Sequence, residues 1–259
     1  MNEPLRVIRD GAILEVVLDR PKANAIDAAT SRQMGGVFAA FRDDPDLRVA
    51  VITGTGRFFS AGWDLKAAAA GEPPDADYGV GGFGGLQQLP ALNKPVIAAV
   101  NGIAVGGGFE WALSADLIVA ADSARFALPE ITAGTLADAA TIRLPRRIPH
   151  HVAMDLLLTG RWMEAAEARH WGLVNEVVAD DALLPRARAL AARLAAGPPL
   201  VYAAIKEVMR EGEGQPFAAV LARVTARGFP TVAALYGSED QLEGARAFAE
   251  KRVPTWRGR

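Results

Sequence analysis

Five short runs rich in apolar and β-branched residues recur along the chain: Ile13–Leu18, Arg48–Thr53, Val96–Val100, Leu117–Ala120 and Val174–Val178. Such runs read as buried strands. Helical patterns lie among them. Asp27 stands where a helix cap is needed, ahead of Ala28–Phe41, in which Met34, Val37, Phe38 and Phe41 fall at helical spacing. A second helix is expected over Glu164–Trp171, with Gly172 ending it. Strands alternating with helices favour an α/β fold over all-β or α+β.

After Asp181 the pattern changes. Ala182–Ala196, Leu200–Glu211, Pro216–Arg227 and Glu239–Lys251 all read as helices, with Gly and Pro between them. No low-complexity linker separates this helical end from the rest. The length of 259 residues suits one large domain, or one with an appendage. A chain of this size buries roughly 70–75% of its unfolded surface, so it needs no staple. None is available, because there is no Cys, which also excludes a thiol nucleophile and Cys-ligated zinc. Three histidines, His150, His151 and His170, make a His-rich metal site a poor fit. A net charge of −2 argues against general nucleic-acid binding, which needs a basic surplus. The N-terminal MNEPLRVIRDG has no apolar signal core. The apolar stretches near Pro95–Phe109 and Ala195–Ile205 are interrupted before membrane-spanning length. A soluble, cytoplasmic protein is expected.

Three segments carry candidate chemistry. In Phe58–Lys66 a glycine, Gly62, sits between a strand and the expected start of a helix. Backbone N–H groups at such a point have no intrahelical partners and can face an anion. The plain alternative is a loop with Asp64 as a first-turn acid. In Asn101–Glu110, Gly106, Gly107 and Gly108 precede a probable helix and allow close approach to the backbone. Their spacing fits no dinucleotide loop, and Phe109-Glu110 stands where a P-loop has Lys and Ser or Thr. Glu110 falls in an apolar run, where desolvation should raise its pKa into the range useful for proton exchange. In Phe126–Glu130, Glu130 is a second acid in an apolar setting. If the two meet in one pocket they form an acid/base pair; if not, Glu130 is a helix-start acid beside Pro129. His150-His151 reads as an exposed helix start, and His170 as packing beside Trp171. Ser60 lacks a nucleophile elbow. Lys22 and Lys66 are solvated charges or phosphate contacts.

Together these segments resemble the crotonase, or enoyl-CoA hydratase/isomerase, superfamily. The resemblance covers nearly the whole chain: LDRPKANAID, VAVITGTGRFFSAGWDLK, KPVIAAVNGIAVGGGFEWALSADLIVAAD, FALPE, LLLTGRWMEAAEARHWGLVNEVV and the terminal AFAEKRVPTWRGR. It implies a spiral core of ββα units over residues 1–195, with a C-terminal helical trimerisation region over 196–259. It implies a hydro-lyase acting on an acyl-CoA thioester, a homotrimer or dimer of trimers, no cofactor beyond the substrate's CoA, no metal, and neither nucleic-acid nor membrane partners. The family's oxyanion hole falls on the N–H groups of Trp63 and Gly107, and its two acid/base carboxylates fall on Glu110 and Glu130. Adenine and phosphate contacts map near Lys22, Ala23, Ala61, Asp64 and Lys66. The resemblance is deepest to members whose acyl group carries a trimethylammonium cation. Tyr78 and Phe83, in the loop Gly71–Leu86 with Asp75 and Asp77, are then candidate contacts to that cation, joined by the rings of Trp63 and Trp111.

One stretch departs from the family. Its hydratases usually read Gly-Ile-x-Pro-Asp-x-Gly-Gly after the second glutamate. Here Gly134–Thr141 is one residue shorter and lacks the proline and both glycines. In relatives that stretch lies near the acyl pocket, so an altered acyl preference or water placement is expected. A hydratase, an isomerase and a non-catalytic acyl-CoA-binding homologue all stay open, with both glutamates arguing against the last.

Overall fold

The computed structural model describes residues 4–259. In chain order the first elements are β1 (Leu5–Asp10), β2 (Ile13–Leu18), β3 (Ala25–Ile26) and α1 (Ala28–Asp43). Next come β4 (Val49–Gly54), β5 (Phe58–Ser60), β6 (Gly62–Trp63) and α2 (Leu65–Ala69). They are followed by β7 (Val96–Val100), β8 (Ile103–Val105) and α3 (Gly107–Ala112), then β9 (Leu117–Ala121), β10 (Arg125–Ala127) and α4 (Glu130–Ala133). After these run α5 (Asp138–Arg143), α6 (His150–Thr159), β11 (Met163–Glu164), α7 (Ala165–His170) and β12 (Glu176–Val178). The chain ends in α8 (Leu183–Ala195), α9 (Pro199–Gly212), α10 (Phe217–Thr225), α11 (Pro230–Tyr236) and α12 (Asp240–Ala249).

The same unit recurs: a long strand, one or two short strands, then a helix. The long strands form one six-stranded sheet in the order β1-β2-β4-β7-β9-β12, antiparallel only between β1 and β2. The short strands form a second sheet, β11-β10-β8-β5, and a two-stranded pair, β3-β6. Each turn of the spiral therefore lays a strand on one sheet and a strand on the other before its helix. The expected α/β spiral of ββα units is the observed one.

Burial explains the long apolar runs. Val49–Ile52 in β4 and all of β7 are inaccessible to solvent. Helix α8 packs on β4, β7 and β9, so these central strands have no face in water. Asp27 caps α1 by accepting from Thr30 N at 2.8 Å. Beyond α8, Ala204 of α9, Phe229 and Val232 of α11 form a separate small apolar cluster.

Differences from the sequence reading lie in short or exposed elements. β1 has five exposed residues of six, and its partner across the Gly11 turn, not its own pattern, makes it a strand. β5, β6, β8 and β10 have two or three residues each, too few to show a period. α11 occupies a stretch read as a connection, with Pro230 at its first position. β12 starts at Glu176, two residues later than expected.

Candidate active site

The spiral brings equivalent points of successive units together. α3 and α4 each follow a short strand of the second sheet, β8 and β10, which pair in parallel. Glu110 lies in the first turn of α3, and Glu130 opens α4. Both line one cavity of about 780 Å³. A Cβ placed on Gly106 would lie 2.9 Å from Glu130 Oε1, so the second glutamate sits directly over the glycine loop that leads into the first.

The two amides of the expected oxyanion hole come from neighbouring units. β6 pairs with β3, and Asp64 N–H donates to Ile26 O at 2.9 Å. Successive N–H groups of a strand point to opposite edges. The Trp63 N–H therefore points away from β3. Gly107 is the first residue of α3, so its N–H has no intrahelical acceptor. The two backbones nearly touch: a Cβ on Gly62 would lie 2.6 Å from Gly107 N and 2.8 Å from Val105 O. Gly62 at φ +79° and Gly106 at φ +57° hold conformations that side-chain-bearing residues resist.

The carboxyls differ in their surroundings. Glu110 is 7% exposed; its Oε1 accepts from Ala140 N at 2.8 Å and its Oε2 from Gln87 Nε2 at 3.3 Å. Burial raises its pKa above the ordinary value, and the charge of Asp138 adds to that, while the two hydrogen bonds favour the anion and partly offset the rise. Glu130 is pushed up to about 7, first by burial and then by the charges of Glu110 and Asp138. Its buried Oε2 has no hydrogen-bond partner among the described residues. One carboxyl is held as an acceptor, and the other is poised to carry a proton.

The Gly71–Leu86 loop forms another wall of the cavity. Tyr78 and Phe83 meet edge to face at 5.4 Å, and Tyr78 Oη donates to Pro74 O at 3.0 Å. A Cβ on Gly107 would lie 2.6 Å from Phe83 Cε1, so that ring covers the glycine expected to supply an oxyanion donor. The Tyr78 phenol is raised to about 12 by burial, then by the charges of Glu72, Asp75 and Asp138. Glu72 ties the loop down: it accepts from Trp63 Nε1 at 3.0 Å and from Ala28 N at 3.1 Å.

Of the sequence-derived site residues, Ala61, Trp63, Tyr78, Phe83, Gly107, Glu110 and Glu130 line this one cavity. Lys22, Ala23, Asp64 and Lys66 do not line it. Lys22 and Lys66 are exposed, and the Ala23 carbonyl accepts from Ala61 N at 2.9 Å. Asp64 caps α2 through Lys66 N at 3.0 Å and pairs with Arg20 at 3.3 Å. Trp111 is a correction: it is fully buried and stacks on Phe59 at 4.7 Å. One residue along a helix turns the side chain by about 100°, so Trp111 faces the core while Glu110 faces the cavity. The sequence reading also missed Gln87 and Arg143, both at the cavity wall. Gln87 lies in an irregular stretch and Arg143 just beyond the altered segment Gly134–Thr141, so neither carried a signal. The second half of that segment opens α5, whose Ala140 amide holds Glu110.

The family model for enoyl-CoA hydratase/isomerase matches residues 9–259. A carnitinyl-CoA dehydratase from Citrobacter koseri is 54% identical over 261 residues, covering 100% of both chains. One from Salmonella arizonae is 55% identical over 260 residues, again covering 100% of both. Among solved structures, an enoyl-CoA hydratase from Mycobacterium tuberculosis superposes with a TM-score of 0.90 at 40% identity, covering 99% of this chain and 100% of that one. Another, from Bacillus anthracis, gives 0.89 at 31% identity, with coverage of 99% and 100%.

Proposed function

The chain belongs to the enoyl-CoA hydratase/isomerase family, and we propose that it is a hydro-lyase that reversibly dehydrates carnitinyl-CoA to crotonobetainyl-CoA. The observation that carries the reaction class is the pair Glu110 and Glu130, both raised in pKa, facing one cavity beside the amides of Trp63 and Gly107. An α-proton of a thioester becomes removable only if the enolate oxygen is stabilised as charge develops. Fixed N–H donors do this, each worth roughly 10²–10³ in rate.

In the dehydration direction the Glu130 carboxylate takes the α-proton. The negative charge moves to the thioester oxygen, held by Trp63 and Gly107 N–H. Glu110, protonated, then gives its proton to the departing β-hydroxyl, which leaves as water. In hydration the Glu110 carboxylate takes a proton from water as its oxygen adds to the β-carbon, and protonated Glu130 delivers the α-proton. The acceptor bonds on Glu110 and the raised pKa of Glu130 suit the starting state of hydration. These steps call for no cofactor beyond the CoA of the substrate. Its adenine and phosphates are assigned to Lys22, Ala23, Ala61, Asp64 and Lys66, Asp64 acting there through its cap on α2.

The acyl group is argued from the Gly71–Leu86 wall. A trimethylammonium cation cannot donate a hydrogen bond and is held by aromatic faces, at about 0.5–2 kcal/mol each. Tyr78, Phe83 and Trp63 line the cavity together with Asp75, Asp77 and Asp138. Arg143 is the one cation among the described lining residues, and its guanidinium is already engaged by Ser114 and Gln87. Measured kcat/KM is expected to favour crotonobetainyl-CoA over crotonyl-CoA. Tyr78→Ala or Phe83→Ala should shrink that preference by about tenfold, with a smaller loss on crotonyl-CoA. Equal or better kcat/KM for crotonyl-CoA in the wild type would reject carnitinyl-CoA and leave the hydratase standing.

The assembly follows from exposed apolar side chains beyond residue 195, in the region assigned to trimerisation. Met209 of α9, Phe217 of α10 and Phe248 of α12 are 72%, 80% and 87% exposed in the single chain. Contact between copies would cover them. A trimer or a dimer of trimers is expected by light scattering at micromolar concentration, and a monomer there contradicts it. None of the described helices is long and apolar enough to cross a membrane. A cytoplasmic location accompanies this reading.

A further inference from the structure

Arg143 lies half-buried at the cavity wall, near the end of α5, with no carboxylate partner among the described residues. Its Nη1 donates to Ser114 Oγ at 2.7 Å, and its Nη2 donates to the Gln87 carbonyl at 2.8 Å. Both acceptors lead to Glu110. Ser114 Oγ donates to the Glu110 carbonyl at 3.0 Å, and the Gln87 amide donates to Glu110 Oε2 at 3.3 Å. A neutral donor could satisfy the same two oxygens without desolvating a charge. A nearby anion offsets the cost of holding a guanidinium there. Burial lowers the Arg143 pKa, and the charges of Glu110, first, and Glu213 oppose that fall, so Glu110 is the anion most closely coupled to it.

We propose that Arg143 is a positioning residue that keeps Glu110 ionised and aimed into the cavity, acting through Gln87 and Ser114. The proposal rests on the hydratase reading only for its kinetic test. The charged groups facing Glu110 are Glu130 from α4, and Asp138 and Arg143 from α5. Glu130 and Asp138 disfavour the carboxylate, and Arg143 is the one of the three that favours it. Glu213 acts on Arg143 from farther along the chain, and Arg143 in turn lowers the pKa of Arg147, which burial lowers first.

The test is the pH dependence of crotonyl-CoA hydration, followed by loss of the enoyl-thioester absorbance. Hydration needs ionised Glu110, so kcat/KM falls on the acid side as that group protonates. Arg143→Gln should move this acid limb up by about one pH unit, a tenfold change in proton affinity. On the acid side of the limb kcat should fall by up to about tenfold, while KM stays within about threefold. Arg143→Lys keeps the charge and should leave the limb near its wild-type position, although kcat falls. An acid limb in Arg143→Gln that coincides with the wild type overturns the proposal. So does an Arg143→Lys limb displaced as far as that of Arg143→Gln. Should Arg143→Gln not fold, Gln87→Met carries the test: it removes the donor to Glu110, must raise the limb, and an unmoved limb overturns the proposal. Infrared difference titration of the free protein, with Glu110 assigned through Glu110→Gln, reads the same shift without turnover. An inactive wild type thus counts against the hydratase reading, while the titration still decides the role of Arg143.

Discussion

Glu130→Gln is expected to lower kcat by roughly 10²–10⁴, with CoA-ester affinity within a few fold of the wild type. The amide keeps the shape of the carboxyl but can neither take the α-proton nor return it. Glu110→Gln should cost a similar factor, because each group serves one proton of the same reaction. Near-normal turnover in either variant would falsify the paired mechanism. Glu130→Gln carries a second signature. The folded pKa of about 7 lies above the ordinary 4.5, so the folded state binds this proton more tightly than the unfolded one. The linked stabilisation is full below about pH 4.5 and is lost as pH rises through about 7. At pH 8 the wild type therefore carries a desolvated charge that the amide lacks. The variant should melt higher than the wild type at pH 8 and no higher at pH 4, which a pair of thermal melts will measure.

Gly62→Ala is expected to disable the oxyanion hole. The new Cβ would fall 2.6 Å from Gly107 N and 2.9 Å from Gly108 N, all backbone atoms that cannot swing aside. The φ of +79° adds strain for any residue with a side chain. The Gly106–Gly108 loop must then shift, and one of the two donors loses its aim. The expected loss is roughly 10²–10³ in kcat. A thermal melt separates this from unfolding: a folded variant with kcat within threefold of the wild type would show that the hole does not depend on this close approach.

The residue types to which the chemistry is assigned, and the order in which they occur, were legible in the sequence. Glu110 and Glu130 stood in apolar settings, glycine runs preceded helices, and the buried strands announced themselves by β-branched composition. β2 and β7 fall on the residues their apolar runs mark, and the α1 cap is the residue expected, because hydrophobic periodicity and cap chemistry are local. Only the tertiary structure decided which of these residues meet. The β8–β10 pairing places Glu130 over Gly106, and the approach of β6 to α3 sets Trp63 beside Gly107. Strands of two or three residues carry no period, so the second sheet that makes these contacts is invisible along the chain. Trp111 and Glu110 are adjacent in sequence, yet helical rotation sends one to the core and the other to the cavity. Gln87 and Arg143 bear on Glu110 only through non-local packing: their hydrogen bonds join residues 23 and 29 positions apart for Gln87–Glu110 and Arg143–Ser114. Local chemistry is written in the order of residues; a site assembled from successive turns of a spiral depends on how those turns stack.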